Sequence, residues 1–117
     1  MNIWIYNSLT RSLRLNKVEI PKPNQGELLI KVKTCGICGS DLHLFRKRAS
    51  IRHFARSFID SLIKSSIGEK ILGHEISGIV VDSKDEKFNI GERVAVFPKT
   101  SMGSFGKSLP GCFAEYM

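Results

Sequence analysis

Apolar residues in this chain come in short runs, each closed by turn chemistry, and that punctuation limits the fold more than any other feature. Ile3 to Tyr6 reads as a first strand. Leu13, Leu15, Val18 and Ile20 form a second, roughly alternating run that stops at Pro21-Lys22-Pro23. Asn24-Gln25-Gly26 is a turn, and Leu28 to Lys33 is a strand that alternates towards its end. After Gly73-His74-Glu75 the β-branched and small residues Ile76, Gly78, Ile79, Val80 and Val81 make another strand. Asp82 to Lys87 is a charged turn, Phe88 to Phe97 a turn and a strand, and Phe113 to Met117 a last strand. Thr34 to His43 and Lys99 to Gly111 read as loops. Many short strands at this spacing point to a mainly β chain, a small barrel or sandwich.

One segment breaks the β pattern. Ser50 is a fitting N-cap, and Ile51, Phe54, Ala55, Phe58, Ile59, Leu62 and Ile63 recur at helical spacing before Gly68, so an amphipathic helix is expected over 51–63. The same region carries charge. Of 18 basic and 11 acidic residues, seven basic (Arg46, Lys47, Arg48, Arg52, Arg56, Lys64, Lys70) and two acidic (Asp60, Glu69) lie within 46–70, so that stretch supplies five of the net +7. Such a patch suits nucleic acid, an anionic membrane or an acidic partner, and equally a solvated face.

The 117 residues fit one domain and leave no room for separate cofactor and substrate domains. No apolar run reaches the length of a membrane span, and the N-terminus lacks the pattern of a secretory signal, so a cytoplasmic location is the expectation. Three cysteines, Cys35, Cys38 and Cys112, are an odd number. That count speaks against a disulfide scaffold and leaves metal binding, reactive thiols or burial.

Chemistry-bearing residues gather in two places. Cys38-Gly39-Ser40-Asp41-Leu42-His43 sets a thiol, a hydroxyl, a carboxylate and an imidazole side by side, and His74-Glu75 adds an imidazole and a carboxylate beside a glycine. Zinc takes thiolate and imidazole, and a catalytic zinc keeps one position open. A nearby carboxylate such as Asp41 can fix the tautomer of a ligand imidazole. The same residues also fit a buried thiol and a hydrogen-bonded loop histidine, and Cys35-x-x-Cys38 alone matches redox pairs and zinc knuckles too.

"VKTCGICGSDLH", "LGHEISGIV", "FNIGERVAV" and "GCFAEY", in that order, resemble the zinc-containing medium-chain alcohol dehydrogenase superfamily. The opening "LRLNKVEIPKPNQGELLIKVK" is similar as well, with a flavour of the sorbitol and threonine dehydrogenase branch. The match covers roughly 1–45, 71–98 and 111–116. The resemblance implies a GroES-like β-barrel over 1–117, the N-terminal substrate-side domain alone, with residues 46–70 as a basic helical insertion.

Position by position, the resemblance makes Cys38 and His74 zinc ligands and Glu75 a carboxylate beside the metal that approaches it in some members. It makes Ser40 the hydroxyl that meets the substrate alcohol, His43 a relay histidine and Asp41 the supporting carboxylate. Cys35 matches no ligand, which leaves it a packing role. The implied chemistry is oxidation of a small alcohol or polyol. Zinc acidifies the alcohol, the proton leaves through Ser40, and hydride passes to NAD or NADP.

Several family features are missing. The third protein ligand normally falls beyond this stretch, and no G-x-G-x-x-G exists to hold a dinucleotide. The gap before "FAEY" reads "FPKTSMGSFGKSLPGC", with one cysteine where a structural zinc lobe needs four. His43 and His74 are also unusually far apart for the family. The expected function is therefore the zinc-binding domain of a zinc-dependent alcohol or polyol dehydrogenase, inactive alone, and either truncated, degenerate, or completed by a Rossmann-domain polypeptide or a homo-oligomer. The alternative is a non-catalytic GroES-like binding module whose basic helix contacts a protein partner, nucleic acid or an anionic surface. Nucleic acid and membrane are the less expected partners.

Overall fold

The computed structural model describes residues 1–46 and 68–117. The helix expected over 51–63, and most of the 46–70 insertion, lie outside the described residues.

Strand β1 (Asn2–Asn7) is the centre of one antiparallel sheet, with β2 (Ser12–Lys17) on one side and β4 (Glu69–Ile71) on the other. β1 and β2 form a hairpin with Asn2 opposite Lys17 and Asn7 opposite Ser12. The Asn7 side-chain oxygen accepts from the backbone N–H groups of Leu9 and Thr10, which turns the chain between the strands. A second antiparallel sheet has the order β3 (Leu28–Gly36), β5 (Glu75–Ser83), β6 (Arg93–Val96). β7 (Lys99–Thr100) and β8 (Gly103–Ser104) make a small separate hairpin.

The C-terminal residues tie the two sheets together. Trp4 N–H donates to Phe113 C=O and Glu115 N–H to Asn2 C=O, while Ile30 and Met117 exchange both backbone bonds. The segment thus pairs with β1 along one stretch and β3 along the next, closing the structure into a barrel-like shell. Ile3, Tyr6, Ile30, Leu72, Ile76, Val80 and Cys112 fill the interior. Every second residue of β5 from Ile76 to Val80 turns inward, as the period of a strand requires. The middle one is Gly78, where a Cβ would collide with Ile30 and the Lys31 carbonyl, so the two strands approach closely only because it is glycine.

The mainly β, GroES-like fold class expected from the sequence is what the chain adopts. Three local expectations are corrected. The stretch read as a loop from Thr34 to His43 is not one: β3 runs on through Gly36, and α1 (Gly39–Arg46) follows it. Eight residues are too few to show a helical stripe, and the helix stands on its cap instead. The stretch read as loop from Lys99 to Gly111 contains β7 and β8, each of two residues. The C-terminal end of the 46–70 insertion is strand: Lys70 pairs with Tyr6, and Glu69 with Asn7. Glu69 also holds Arg14 of β2 through both carboxylate oxygens, at 3.1 and 2.9 Å.

Candidate metal centre

Strand register builds the site. Gly36, the last residue of β3, stands opposite Glu75, the first of β5. The chain leaving β3 therefore reaches Cys38 just where the chain entering β5 presents His74. A Cβ on Gly36 would run into the Glu75 side chain, so glycine leaves the space that Glu75 occupies.

Cys38 is also the N-cap of α1. Its C=O accepts from Asp41 N–H at 3.0 Å and Leu42 N–H at 3.3 Å. Its own N–H donates to Asp41 Oδ2 at 3.0 Å. This is the return half of a capping box, in which an acidic residue in the first turn satisfies the N-cap amide. Asp41 is 4% exposed, so its carboxylate is almost wholly withdrawn from water and needs such partners. Its other oxygen, Oδ1, lies 4.0 Å from His74 Nδ1.

One donor atom each from Cys38, His74 and Glu75 lies within 4.8 Å of the other two. Cys38 and His74 are half-buried and Glu75 is exposed. A thiolate, an imidazole and a carboxylate are all donors that zinc accepts, and bonds of about 2.0–2.3 Å give one ion close to this reach. The donor set thus fits zinc. Ser40 is exposed in the first turn of α1, next to the capped cysteine. His43 is exposed in the last turn of the helix and is not a member of the cluster.

α1 is held from below by β1. The Tyr6 hydroxyl donates to Leu44 C=O at 2.9 Å, and its ring tilts against Phe45 with centroids 4.7 Å apart. Burial pushes the Tyr6 phenol above its ordinary pKa, with Arg11 pulling weakly the other way.

The packing role expected for Cys35, and the argument from cysteine count against a disulfide, are both corrected: Cys35 is bonded to Cys112 across 77 positions. An odd count leaves one thiol over but does not forbid a pair, and here the end of β3 and the 111–113 segment bring two Cα atoms to 6.1 Å. Cys38 is the free thiol. Nothing in the spacing of the three cysteines identifies which two pair. Gly73, the glycine directly before His74, packs against the Cys35–Cys112 bond. Its φ is +89°, and a Cβ there would lie 2.7 Å from Cys35 Sγ and from Phe113 Cδ1.

A separate groove of about 700 Å³ lies away from this cluster. Val96, Phe97, Met102, Phe105 and Leu109 are among its apolar lining residues.

Residues 24–117 match the protein family described as "Alcohol dehydrogenase GroES-like domain". The chain is 37% identical over 98 residues to "Sorbitol dehydrogenase" of Bacillus subtilis (strain 168), covering 80% of this chain and 24% of that protein. It superposes with a TM-score of 0.72 and 28% identity on the crystal structure of 2R,3R-butanediol dehydrogenase from Bacillus subtilis, over 99% of this chain and 37% of that one. A third relative is the short chain alcohol dehydrogenase (rspB) from E. coli CFT073 complexed with NADH, with a TM-score of 0.73 and 27% identity over 100% of this chain and 35% of that one. The chain thus spans about a quarter to a third of these relatives.

Proposed function

The chain belongs to the alcohol dehydrogenase family through its GroES-like domain, and from that membership we propose that it is the zinc-binding, substrate-side domain of an alcohol or polyol dehydrogenase that does not turn over substrate by itself. The observation that carries this reading is the convergence of Cys38, His74 and Glu75 donor atoms within 4.8 Å.

Cys38, His74 and Glu75 would hold the metal. Zinc bound there supplies Lewis-acid polarisation of an alcohol oxygen. The other roles belong to this chain's own residues. Asp41 orients both ligands: it fixes the Cys38 backbone through Oδ2 and faces His74 Nδ1 through Oδ1. The Asp41 carboxylate beside its ring would help hold His74 in place for the metal. Ser40, exposed beside Cys38, receives the alcohol proton and passes it to solvent, with His43 further along the same helix as a relay.

Hydride transfer also needs a nicotinamide held against the substrate carbon. These 117 residues contain no glycine-rich dinucleotide turn. NAD or NADP is therefore brought by a Rossmann segment, whether from a separate polypeptide or another part of the same enzyme. The E. coli relative is complexed with NADH, which supports a nicotinamide cofactor for this reading.

The test is an assay of the purified chain with zinc, a panel of alcohols and polyols, and both NAD and NADP. No cofactor reduction is expected from the chain alone, and reduction is expected once a Rossmann-domain polypeptide completes the enzyme. Reduction by the isolated chain that disappears in Cys38→Ala and His74→Ala would overturn the proposal.

A further inference from the structure

The Cys35–Cys112 bond lies against the candidate metal centre. Cys35 pairs with Ile76 next to the Gly36–Glu75 position where the two strands meet, and the chain beyond it leads to Cys38. On the other side, the segment carrying Cys112 runs along the residues that lead into His74. Gly111 N–H donates to Ile71 C=O at 2.9 Å, Cys112 N–H to Gly73 C=O at 3.1 Å and Phe113 N–H to Leu72 C=O at 3.0 Å. Both sulfurs pack on Gly73: a Cβ there would lie 2.7 Å from Cys35 Sγ and 2.8 Å from Cys112 Sγ. The bond thus clamps the Cys38-bearing chain to the chain that delivers His74.

We propose that Cys35 and Cys112 form a reversible dithiol–disulfide site, open to exchange with dithiol reductants, whose oxidation state sets how tightly the Cys38–His74–Glu75 cluster holds its metal. The inference rests on the zinc reading of that cluster. In a reducing compartment, a disulfide usually serves redox chemistry rather than structure. Entry is from one side. Cys112 is 1% exposed, whereas Cys35 is half-buried. A reductant thiolate attacks Cys35 Sγ, the S–S bond breaks, and Cys112 leaves as a thiolate and takes a proton. The second thiol of the reductant then resolves the mixed disulfide. The protein gains two electrons and two protons, and the reductant departs as its own disulfide. With the bond open, the 111–113 segment still has its backbone pairing, but nothing covalent links it to the chain before Cys38. The ligands lose part of their preorganisation, and affinity falls with it.

The experiment compares the full chain, oxidised and after reduction with a trialkylphosphine, which takes up the two oxidising equivalents as its oxide. Thiols are counted by alkylation and mass spectrometry, folding by circular dichroism, and zinc affinity by competition with a chromophoric chelator. The oxidised chain should show a single alkylatable thiol, Cys38, and reduction should add two. Zinc affinity should fall by about tenfold or more on reduction, the scale seen when a group supporting a ligand is lost, and recover on reoxidation. A Cys35→Ser/Cys112→Ala variant should bind at the reduced level and ignore the phosphine. If that variant does not fold, the two states of the unaltered chain carry the comparison alone. Equal affinity in both folded states overturns this inference and leaves the zinc reading standing. Three alkylatable thiols under oxidising conditions overturn it too. Absence of zinc binding in either state overturns both.

Discussion

Asp41 Oδ1 stands 4.0 Å from His74 Nδ1, while the second oxygen of the same buried carboxylate accepts the N–H of Cys38. One side chain thus binds one half of the candidate metal centre and faces the other, and it separates folding from binding. Asp41→Asn keeps an acceptor for Cys38 and removes the charge facing His74. Zinc affinity should fall by about tenfold, with the thermal midpoint nearly unchanged. Asp41→Ala removes the cap as well, at a cost of about 1 kcal/mol of stability. Chelator competition and thermal melts of the two variants check this.

Gly73 has φ +89° and lies against Cys35, Cys112 and Phe113. Gly73→Ala puts a Cβ into both a strained backbone region and occupied space. It should destabilise the chain by about 1–3 kcal/mol. Urea denaturation measures the loss, and a change under 0.5 kcal/mol would contradict the packing described.

Tyr6 joins β1 to α1 by its hydroxyl bond to Leu44. Tyr6→Phe should cost about 1 kcal/mol, the net worth of one such bond. The pH dependence has a definite sign. Burial raises the folded phenol's pKa above its ordinary value. Its contribution is therefore fully present below that ordinary value and is lost as pH rises through the raised one. Stability of the parent chain should fall faster than that of Tyr6→Phe across that alkaline window.

Glu115 fastens the C-terminal segment to β1: its Oε2 accepts Asn2 N–H at 2.7 Å and its Oε1 accepts the Asn2 side-chain amide at 3.0 Å. The Asn2 amide hydrogen bond holds the Glu115 carboxyl below the usual glutamate pKa. Its stabilising effect is present above that usual value and disappears as pH falls through the depressed one. Hydrogen exchange of Trp4 and Asn2 amides should accelerate on acidification in the parent chain, relative to its own core, and Glu115→Gln should show a weaker acid response.

Alternation and turn residues made most strands legible, because a half-buried strand writes its faces into every second residue, as in Ile76, Gly78 and Val80. The ligand candidates were legible as residue types, a thiol, an imidazole and a carboxylate set beside glycines. What brings them together was not: the opposition of Gly36 and Glu75 is a property of register between strands far apart in sequence. α1 is not legible because eight residues carry no visible stripe, and its cap rests on the bonds between Cys38 and the first turn rather than on a periodic pattern. β4 was missed because three residues are too few to alternate visibly. The Cys35–Cys112 pair depends on closure of the whole shell, 77 positions apart, and no local signal encodes it.

The most direct test of the account is metal stoichiometry with cobalt as a spectroscopic stand-in for zinc. Under oxidising conditions the purified chain should bind one cobalt ion with a thiolate-to-metal charge-transfer band, and added zinc should erase it. Cys38→Ser should lose the band, and His74→Ala should weaken binding by at least about tenfold. A chain that stays folded yet binds no metal, or whose band survives Cys38→Ser, would contradict the assignment of Cys38, His74 and Glu75 as a metal centre.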